Sequence, residues 1–181
     1  MLTSVLLKEK TRDIHLALHD HSALKDLLNK SVSFEYYMNV ISKFYSFHQG
    51  IERAISNEGQ QTLYERFRSN TLPLLRDDCV EQNNLNFQTA IDFSTQEAVW
   101  AYLYVKEGSA LGGKVIHKTL TRNLNGYGNA NSYFTSLSKI KPDIWTRFVE
   151  TMNQKTEGLD QNLIVKNAQF VFKELYEWMS K

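Results

Sequence analysis

The sequence predicts an all-α fold, a single-domain helical bundle that spans residues 1–181. Only two prolines and eight glycines occur in the 181 residues, and most of the chain repeats its apolar residues with the 3.6-residue period of an α-helix. A chain of this length can bury one full hydrophobic core. Because no internal repeat, low-complexity tract or linker interrupts the pattern, we expect one domain.

Composition and charge narrow the function classes. The formal net charge is +1, which gives no electrostatic signature of nucleic-acid binding. The single cysteine, Cys79, excludes an intramolecular disulfide and suits a reducing compartment. No apolar run is long enough for a signal peptide or a membrane-spanning helix. We therefore expect a soluble cytoplasmic protein without nucleic-acid or membrane partners.

Turn signals divide the helical pattern into separate elements. Ser33 is a predicted N-cap, and Ser94 followed by Glu97 has the spacing of a capping box. Residues 83–93 and 123–129 are predicted breaks. The predicted helices cover approximately residues 3–18, 33–56, 62–67, 72–80, 94–122, 133–137, 142–157 and 159–179.

Three glycines lie inside the helix that begins near Ser94. They are Gly108, Gly112 and Gly113, and each costs roughly 1 kcal/mol relative to alanine in a helix interior. One alternative is a tight crossing of two helices, which a single glycine would favour. Together the three predict a bare strip, one turn long, on one helix face. We call it the glycine strip; it is wide enough for a flat ligand to lie against.

Histidines are the first candidates for metal binding. His15 and His19 are spaced i, i+4, so that one helix could present both to a single ion. No Glu-x-x-His pair or HExxH frame accompanies any histidine, which disfavours a di-iron centre and a zinc protease. A lone helical histidine is more often structural than a ligand. Cys79 is a possible nucleophile, but without a neighbouring base a buried inert thiol is favoured.

Two segments together resemble a known family. Residues 7–15, Leu-Lys-Glu-Lys-Thr-Arg-Asp-Ile-His, resemble the amino-terminal helix of the biliverdin-producing heme oxygenases, and residues 108–113 resemble their distal helix. Looser similarity runs through residues 33–52, residues 75–78 and the last helix, so that the resemblance covers essentially the whole chain. It is closer to the compact bacterial members than to the animal enzymes, and it implies a heme oxygenase-like helical bundle.

The resemblance implies that heme lies between the first helix and the glycine strip. His15 would be the proximal iron ligand, and Lys8, two turns earlier, would contact a heme propionate. Arg147 is a weaker candidate for a second propionate contact. Tyr104 occupies a family tyrosine position, for which a core aromatic is the alternative.

On the distal side, the resemblance implies that Gly108, Gly112 and Gly113 let the backbone approach the macrocycle. Ser109 stands where the animal enzymes carry an aspartate that orders distal water. The chain also departs from the bacterial pattern at three positions, which are Lys106, Ala110 and Lys114. These departures leave the distal water network undefined, while the iron ligand and the glycines are retained.

The implied activity is oxidative cleavage of heme to biliverdin, carbon monoxide and ferrous iron. Heme would be both substrate and cofactor, O2 the oxidant, and a ferredoxin or an NADPH-dependent reductase the electron donor, since no flavin or nicotinamide fingerprint occurs in the chain. One alternative is a heme carrier or sensor of the same fold that does not turn over. Another is a thiaminase-like hydrolase that uses Cys79.

Overall fold

Ten α-helices and no β-strand occur in the residues that the computed structural model describes, which are 1–29, 31–66, 71–79, 85–124 and 130–181. The all-α prediction is therefore confirmed for this part of the chain. The helices are α1 (Thr3–Lys10), α2 (Arg12–His21), α3 (Ala23–Asp26), α4 (Phe34–Asn57), α5 (Gln61–Arg66), α6 (Thr71–Asp78), α7 (Gln96–Asn123), α8 (Ser132–Ser138), α9 (Pro142–Lys155) and α10 (Gln161–Met179).

Helix α7 is the scaffold on which the other elements assemble. It is 28 residues long and packs against α10, α8, α5 and α9. Its first turns are apolar on all sides, and Trp100 and Tyr102 are almost completely buried there. Burying a large apolar side chain contributes about 1.5–3 kcal/mol, so this half of α7 lies in the hydrophobic core. The half that carries the glycines is more open.

The N-caps of the two long helices follow from short hydroxyl side chains. Ser33 accepts a hydrogen bond from the Tyr36 amide at 3.1 Å and begins α4, as predicted. The cap of α7 is Thr95 rather than Ser94, because Thr95 accepts from the Ala98 amide at 3.4 Å. The Ser94 amide instead donates to the Asp92 carboxylate at 2.9 Å, which holds Ser94 in the preceding turn.

The predicted first helix is divided at Thr11. The backbone there has φ −102° and ψ 1°, which ends α1 and begins α2. The Thr11 hydroxyl donates to the Leu7 carbonyl at 2.8 Å, and the His15 amide still donates to the Thr11 carbonyl at 3.0 Å. The break is therefore a local bend that keeps the two helices continuous. It leaves α2 free to face α10 and the glycine-bearing half of α7.

Helix α8 is held by a buried carboxylate at the end of α6. Asp78 has no exposed surface, and it accepts hydrogen bonds from the Ser132 and Tyr133 amides at 2.7 and 2.8 Å. A carboxylate at a helix N-terminus satisfies amides that have no partner within the helix. This contact fixes α8 against α7 and places Leu137 beside Gly113.

The remaining boundaries agree with the sequence to within a few residues. Residues 85–93 form an irregular segment as predicted, whereas α3 was not predicted. The predictions for residues 67, 80, 83–84 and 125–129 lie outside the described residues. No helix in the described ranges is both long enough and apolar enough to cross a membrane.

Candidate functional site

A cavity of about 550 Å³ lies between α1 and α2 on one side and the glycine-bearing part of α7 on the other. Side chains from α8, α9 and α10 complete its walls. Its volume falls within the range of small-molecule and cofactor sites, which are about 300–1,000 Å³ and mostly apolar. Seven of the eight predicted site residues line it, and they are Lys8, His15, Tyr104, Gly108, Ser109, Gly112 and Gly113.

The α2 wall of the cavity carries His15 and His19. Their Nε2 atoms are 3.2 Å apart, and their rings meet edge to face with centroids 4.7 Å apart. Partial burial lowers the pKa of His15 below its ordinary value, and repulsion from His19 is a smaller cause in the same direction. The imidazole is therefore neutral at pH 7 and has a lone pair available for a ligand.

The orientation of His15 is set by its neighbours on α2 and α10. The Phe172 ring on α10 contacts the His15 ring with centroids 5.5 Å apart and an interplanar angle of 61°. Phe172 is itself buried, so it gives the imidazole a rigid apolar support. Edge-to-face contacts of this kind are the favoured geometry for aromatic pairs.

The three glycines of the facing wall have different surroundings. A Cβ atom added at Gly112 would have His19 Cε1 as its nearest neighbour, at 3.7 Å, and one added at Gly108 would contact the Trp145 ring at 3.5 Å. At Gly113, in contrast, a Cβ atom would lie 2.9 Å from Leu137 Cβ. The prediction of one shared bare strip is therefore wrong for Gly113, which borders the cavity with its backbone but serves the crossing of α7 and α8.

Two cations stand at the α1 and α2 edge of the cavity. Lys8 and Arg12 both line it and both are exposed. Arg147, the eighth predicted site residue, does not line the cavity. It is exposed on α9 and pairs with Asp143 at 2.7 Å, one turn earlier on the same helix. Its placement therefore gives no support to a contact with a bound ligand.

Hydroxyl groups border the cavity on its α7 side. Tyr104 packs its ring against Trp145 with centroids 5.8 Å apart. Burial raises the pKa of its phenol, while a side-chain hydrogen bond with Thr11 acts in the opposite direction. The Ser109 hydroxyl donates to the Lys106 carbonyl at 2.6 Å. Burial raises the pKa of the Tyr133 phenol well above its ordinary value, while a side-chain hydrogen bond with Ser109 acts in the opposite direction. Both tyrosine hydroxyls are thus protonated at pH 7.

A buried polar network lies behind this wall, on the core side of α7. Lys106 is only 3% exposed as a residue. Its ammonium donates to the Tyr64 hydroxyl at 2.6 Å, and that hydroxyl donates to a Glu52 carboxylate oxygen at 2.6 Å. The His48 Nδ1 atom and the Tyr102 hydroxyl are 2.7 Å apart in the same region. Burial lowers the pKa of His48 to about 3, and the nearby Lys106 charge is a smaller cause in the same direction. His48 is therefore a neutral core residue.

The structure also argues against Cys79 as a nucleophile. Burial raises the pKa of its thiol to about 11, and the charge of Asp78 acts in the same direction. A reactive cysteine needs a thiolate at neutral pH, and this thiol is protonated. Cys79 does not line the cavity.

Sequence reasoning missed several residues that line the cavity. Arg12 follows Lys8 by four residues and precedes His15 by three, so helical spacing alone could have placed it on the same face. No local sequence pattern predicts that Trp145 and Phe172 line the cavity, because their position depends on how α9 and α10 pack against α7.

Comparison with known proteins identifies a matching family and a related protein. Residues 2–94, just over half of the chain, match the protein family described as Heme oxygenase. A heme oxygenase of Xanthomonas campestris pv. campestris (strain 8004) is 38% identical over 65 residues, a stretch that covers 36% of this chain and 39% of that relative. The family match contains Lys8 and His15 but ends before α7 begins.

Proposed function

This chain belongs to the heme oxygenase family, and we propose that it cleaves heme oxidatively to biliverdin, carbon monoxide and ferrous iron. Heme is the substrate and also the cofactor, O2 is the oxidant, and a separate protein supplies the electrons. When bound, heme supplies the redox-active iron and the macrocycle that is opened. The chain supplies binding, orientation and control of access.

One observation carries the proposal: a neutral histidine and a bare glycine face each other across an apolar cavity. His15 and Gly112 lie on opposite walls of the 550 Å³ cavity. A flat macrocycle needs an axial nitrogen on one face and close, uncrowded backbone on the other. The residues present fit heme in both respects, because among the described residues of other helices only His19 comes within 4 Å of the Gly112 Cβ position.

His15 is the proposed proximal ligand. Its pKa is lowered, so the imidazole is neutral at pH 7 and one ring nitrogen has a lone pair for the iron. Its contact with Phe172 fixes the plane of the imidazole. The Nε2 atom points toward His19. We propose that the His19 ring turns aside when heme enters, because it now fills the space between His15 and Gly112.

Lys8 and Arg12 are the proposed partners of the heme propionates. Both are exposed cations on the cavity edge that lies next to His15. A dianionic ligand gains charge-assisted hydrogen bonds from such groups. Arg12 replaces Arg147 in this role, since Arg147 lies outside the cavity and is paired with Asp143.

The distal wall is proposed to work without a strong acid or base. Gly108 and Gly112 keep the space above the macrocycle open, while Ser109, Tyr104 and Tyr133 contribute hydroxyl groups at its border. Their oxygens can accept hydrogen bonds from ordered water, and such water can in turn donate a hydrogen bond. Such an arrangement positions O2 without supplying a carboxylate for early proton delivery.

The proposal also covers the electron donor and the cellular location. A ferredoxin or an NADPH-dependent reductase is the proposed electron donor, and the cytoplasm is the proposed location. We also propose that the chain acts as one domain, since residues from α1 through α10 share a single hydrophobic core cluster.

Substitution of His15 tests the proposal. His15→Ala should bind hemin with a changed coordination state and should yield no biliverdin, because the axial nitrogen is removed. Added imidazole should restore part of the native spectrum. His21→Ala is the matched control, since His21 is an exposed histidine on the same helix that does not line the cavity. A native spectrum and full turnover in His15→Ala would refute the assignment, whereas hemin binding without turnover in the wild type would indicate a carrier or sensor.

A further inference from the structure

The histidine pair on α2 has a geometry that the proposed function does not use. His15 and His19 are one helical turn apart, and their Nε2 atoms approach to 3.2 Å. Heme binding requires only His15. His19 nevertheless lies in the cavity wall, beside Gly112. From this arrangement we infer that His15 and His19 together bind one divalent transition-metal ion in the heme-free protein, and that the bound ion excludes heme.

The distance between the two nitrogens fits a shared ion. Zinc binds histidine nitrogen at about 2.0–2.1 Å, so two nitrogens on a tetrahedral zinc ion lie about 3.3–3.4 Å apart. Two adjacent nitrogens of an octahedral ion lie about 2.9 Å apart at the same bond length. The observed separation of 3.2 Å lies between these values. Both rings must rotate for their Nε2 lone pairs to converge on one ion.

Binding requires a change of tautomer but no net loss of a proton. In the metal-free protein one Nε2 atom donates to the other. With the ion in place, both Nε2 atoms are ligands, and each ring carries its proton on Nδ1. Neutral imidazole binds Zn²⁺, Ni²⁺, Co²⁺ and Cu²⁺ well. The ligand class is therefore a borderline divalent ion rather than Mg²⁺ or Ca²⁺, which prefer oxygen.

The remaining coordination positions belong to water. Within the described residues, no cluster of three or more histidine, cysteine, aspartate or glutamate side chains is placed to hold a metal ion. The pair is therefore a two-ligand site that opens onto the cavity. Such a site exchanges its ion readily, which distinguishes it from a closed structural zinc site with four protein ligands.

The bound ion would close the cavity to heme in two ways. It would occupy the His15 imidazole that the proposed function assigns to the heme iron, so this part of the inference rests on that function. It would also hold the His19 ring across the gap to Gly112, where the Cβ position is 3.7 Å from His19 Cε1. Ion and heme would therefore compete, and heme loading would depend on the free metal concentration.

The first experiment measures metal binding without heme. Co²⁺ is titrated into the heme-free chain, purified without a histidine tag, and its visible d–d absorption is recorded; Zn²⁺ should displace it. His19→Gln should weaken Co²⁺ binding by about a hundredfold, as expected when one arm of a chelate is lost. His21→Gln is the control and should bind like the wild type. Equal Co²⁺ affinity in the wild type and His19→Gln, or no binding by the wild type, would overturn the inference.

The second experiment separates this inference from the proposed function. Hemin binding is followed by its Soret absorption with and without Zn²⁺, at a concentration that saturates the wild type but lies well below the Kd of His19→Gln for the ion. Zn²⁺ should weaken hemin binding in the wild type and in His21→Gln, but it should have no effect in His19→Gln. If the wild type binds Co²⁺ but never binds hemin, the proposed function fails while the metal site stands. If Zn²⁺ leaves hemin binding by the wild type unchanged, the exclusion of heme is refuted.

Discussion

The same substitution at two adjacent glycines should have opposite effects on stability. Both Gly112 and Gly113 lie inside α7 with no positive φ angle, so alanine is compatible with the backbone at either position. Alanine gains about 0.8–1 kcal/mol of helix propensity over glycine. Any difference between the two variants therefore reports what the new methyl group contacts.

At Gly112 the new methyl group has room and makes no close contact. Its nearest neighbour is His19 Cε1 at 3.7 Å, a van der Waals contact with a side chain at the cavity border. The propensity gain is thus retained, and Gly112→Ala should stabilise the heme-free protein by up to about 1 kcal/mol. For a chain of this size, 1 kcal/mol corresponds to roughly 2–4 °C in Tm.

At Gly113 the methyl group meets a packed helix. Leu137 Cβ would lie 2.9 Å away and Leu137 Cγ 3.2 Å away. Because Cβ does not move when the side chain changes rotamer, α8 itself would have to shift, and Asp78 holds α8 in place. Overpacking of this kind costs about 1–3 kcal/mol. The two variants should therefore differ by roughly 2–12 °C in Tm.

Differential scanning calorimetry of the two heme-free variants measures this difference. Gly113→Ala should melt below Gly112→Ala, and the order should persist in urea denaturation. Equal Tm values, or a lower Tm for Gly112→Ala, would show that Gly112 also serves helix packing. That result would remove the structural reason for placing a ligand against this part of α7.

Three further perturbations have matched controls. Lys8→Glu should weaken hemin binding about two- to fivefold in a spectral titration, whereas Lys10→Glu, outside the cavity, should not. Equal effects of the two substitutions would show that Lys8 makes no specific contact with heme. Asp78→Ala should lower the free energy of unfolding by about 1–3 kcal/mol in urea, whereas the exposed neighbour substitution Asp77→Ala should change it little; a neutral Asp78→Ala would refute the anchoring of α8. The pKa of His48 is lowered to about 3, so from about pH 6.5 downward the unfolded state binds a proton that the folded state does not. Acidification should therefore lower the free energy of unfolding of the wild type by up to about 1.4 kcal/mol per pH unit more than that of His48→Gln. Equal pH dependence of the urea midpoints in the two proteins would contradict this.

The fold was predictable where local rules act alone. Helix periodicity and the Ser33 cap located α4, and Pro142 marked the start of α9. The predicted N-cap of α7 was one residue off because two neighbouring residues could both serve as caps. The Asp92 carboxylate accepts from the Ser94 amide, and Thr95 is the cap. Cap residues next to each other cannot be ranked without knowing the conformation of the preceding turn.

The site was predictable on its α2 side and only partly on its α7 side. His15 and Lys8 stand in a local sequence pattern, and both line the cavity. The separate roles of Gly112 and Gly113 depend on which helix lies opposite each of them. The sequence does not show that Leu137 on α8 lies beside Gly113. Arg147 failed to reach the cavity for a similar reason, since the rotation of α9 turns it to solvent.

The buried network behind α7 was not predictable at all. Lys106 is buried although it is charged and is followed directly by Glu107, and a lysine is almost never fully buried without a partner. Its partner, Tyr64, precedes it by 42 residues in sequence and comes from α5. Only the packing of α5 against α7 brings the two together.

The central claim is that the cavity between His15 and Gly112 holds heme and that the chain converts it to biliverdin. The most direct measurement is the visible spectrum of the hemin complex in air after addition of a reductant. We predict loss of the Soret band together with growth of biliverdin absorption, and neither change in His15→Ala. A stable ferrous spectrum in air, with no biliverdin formed by the wild-type protein, would contradict the claim.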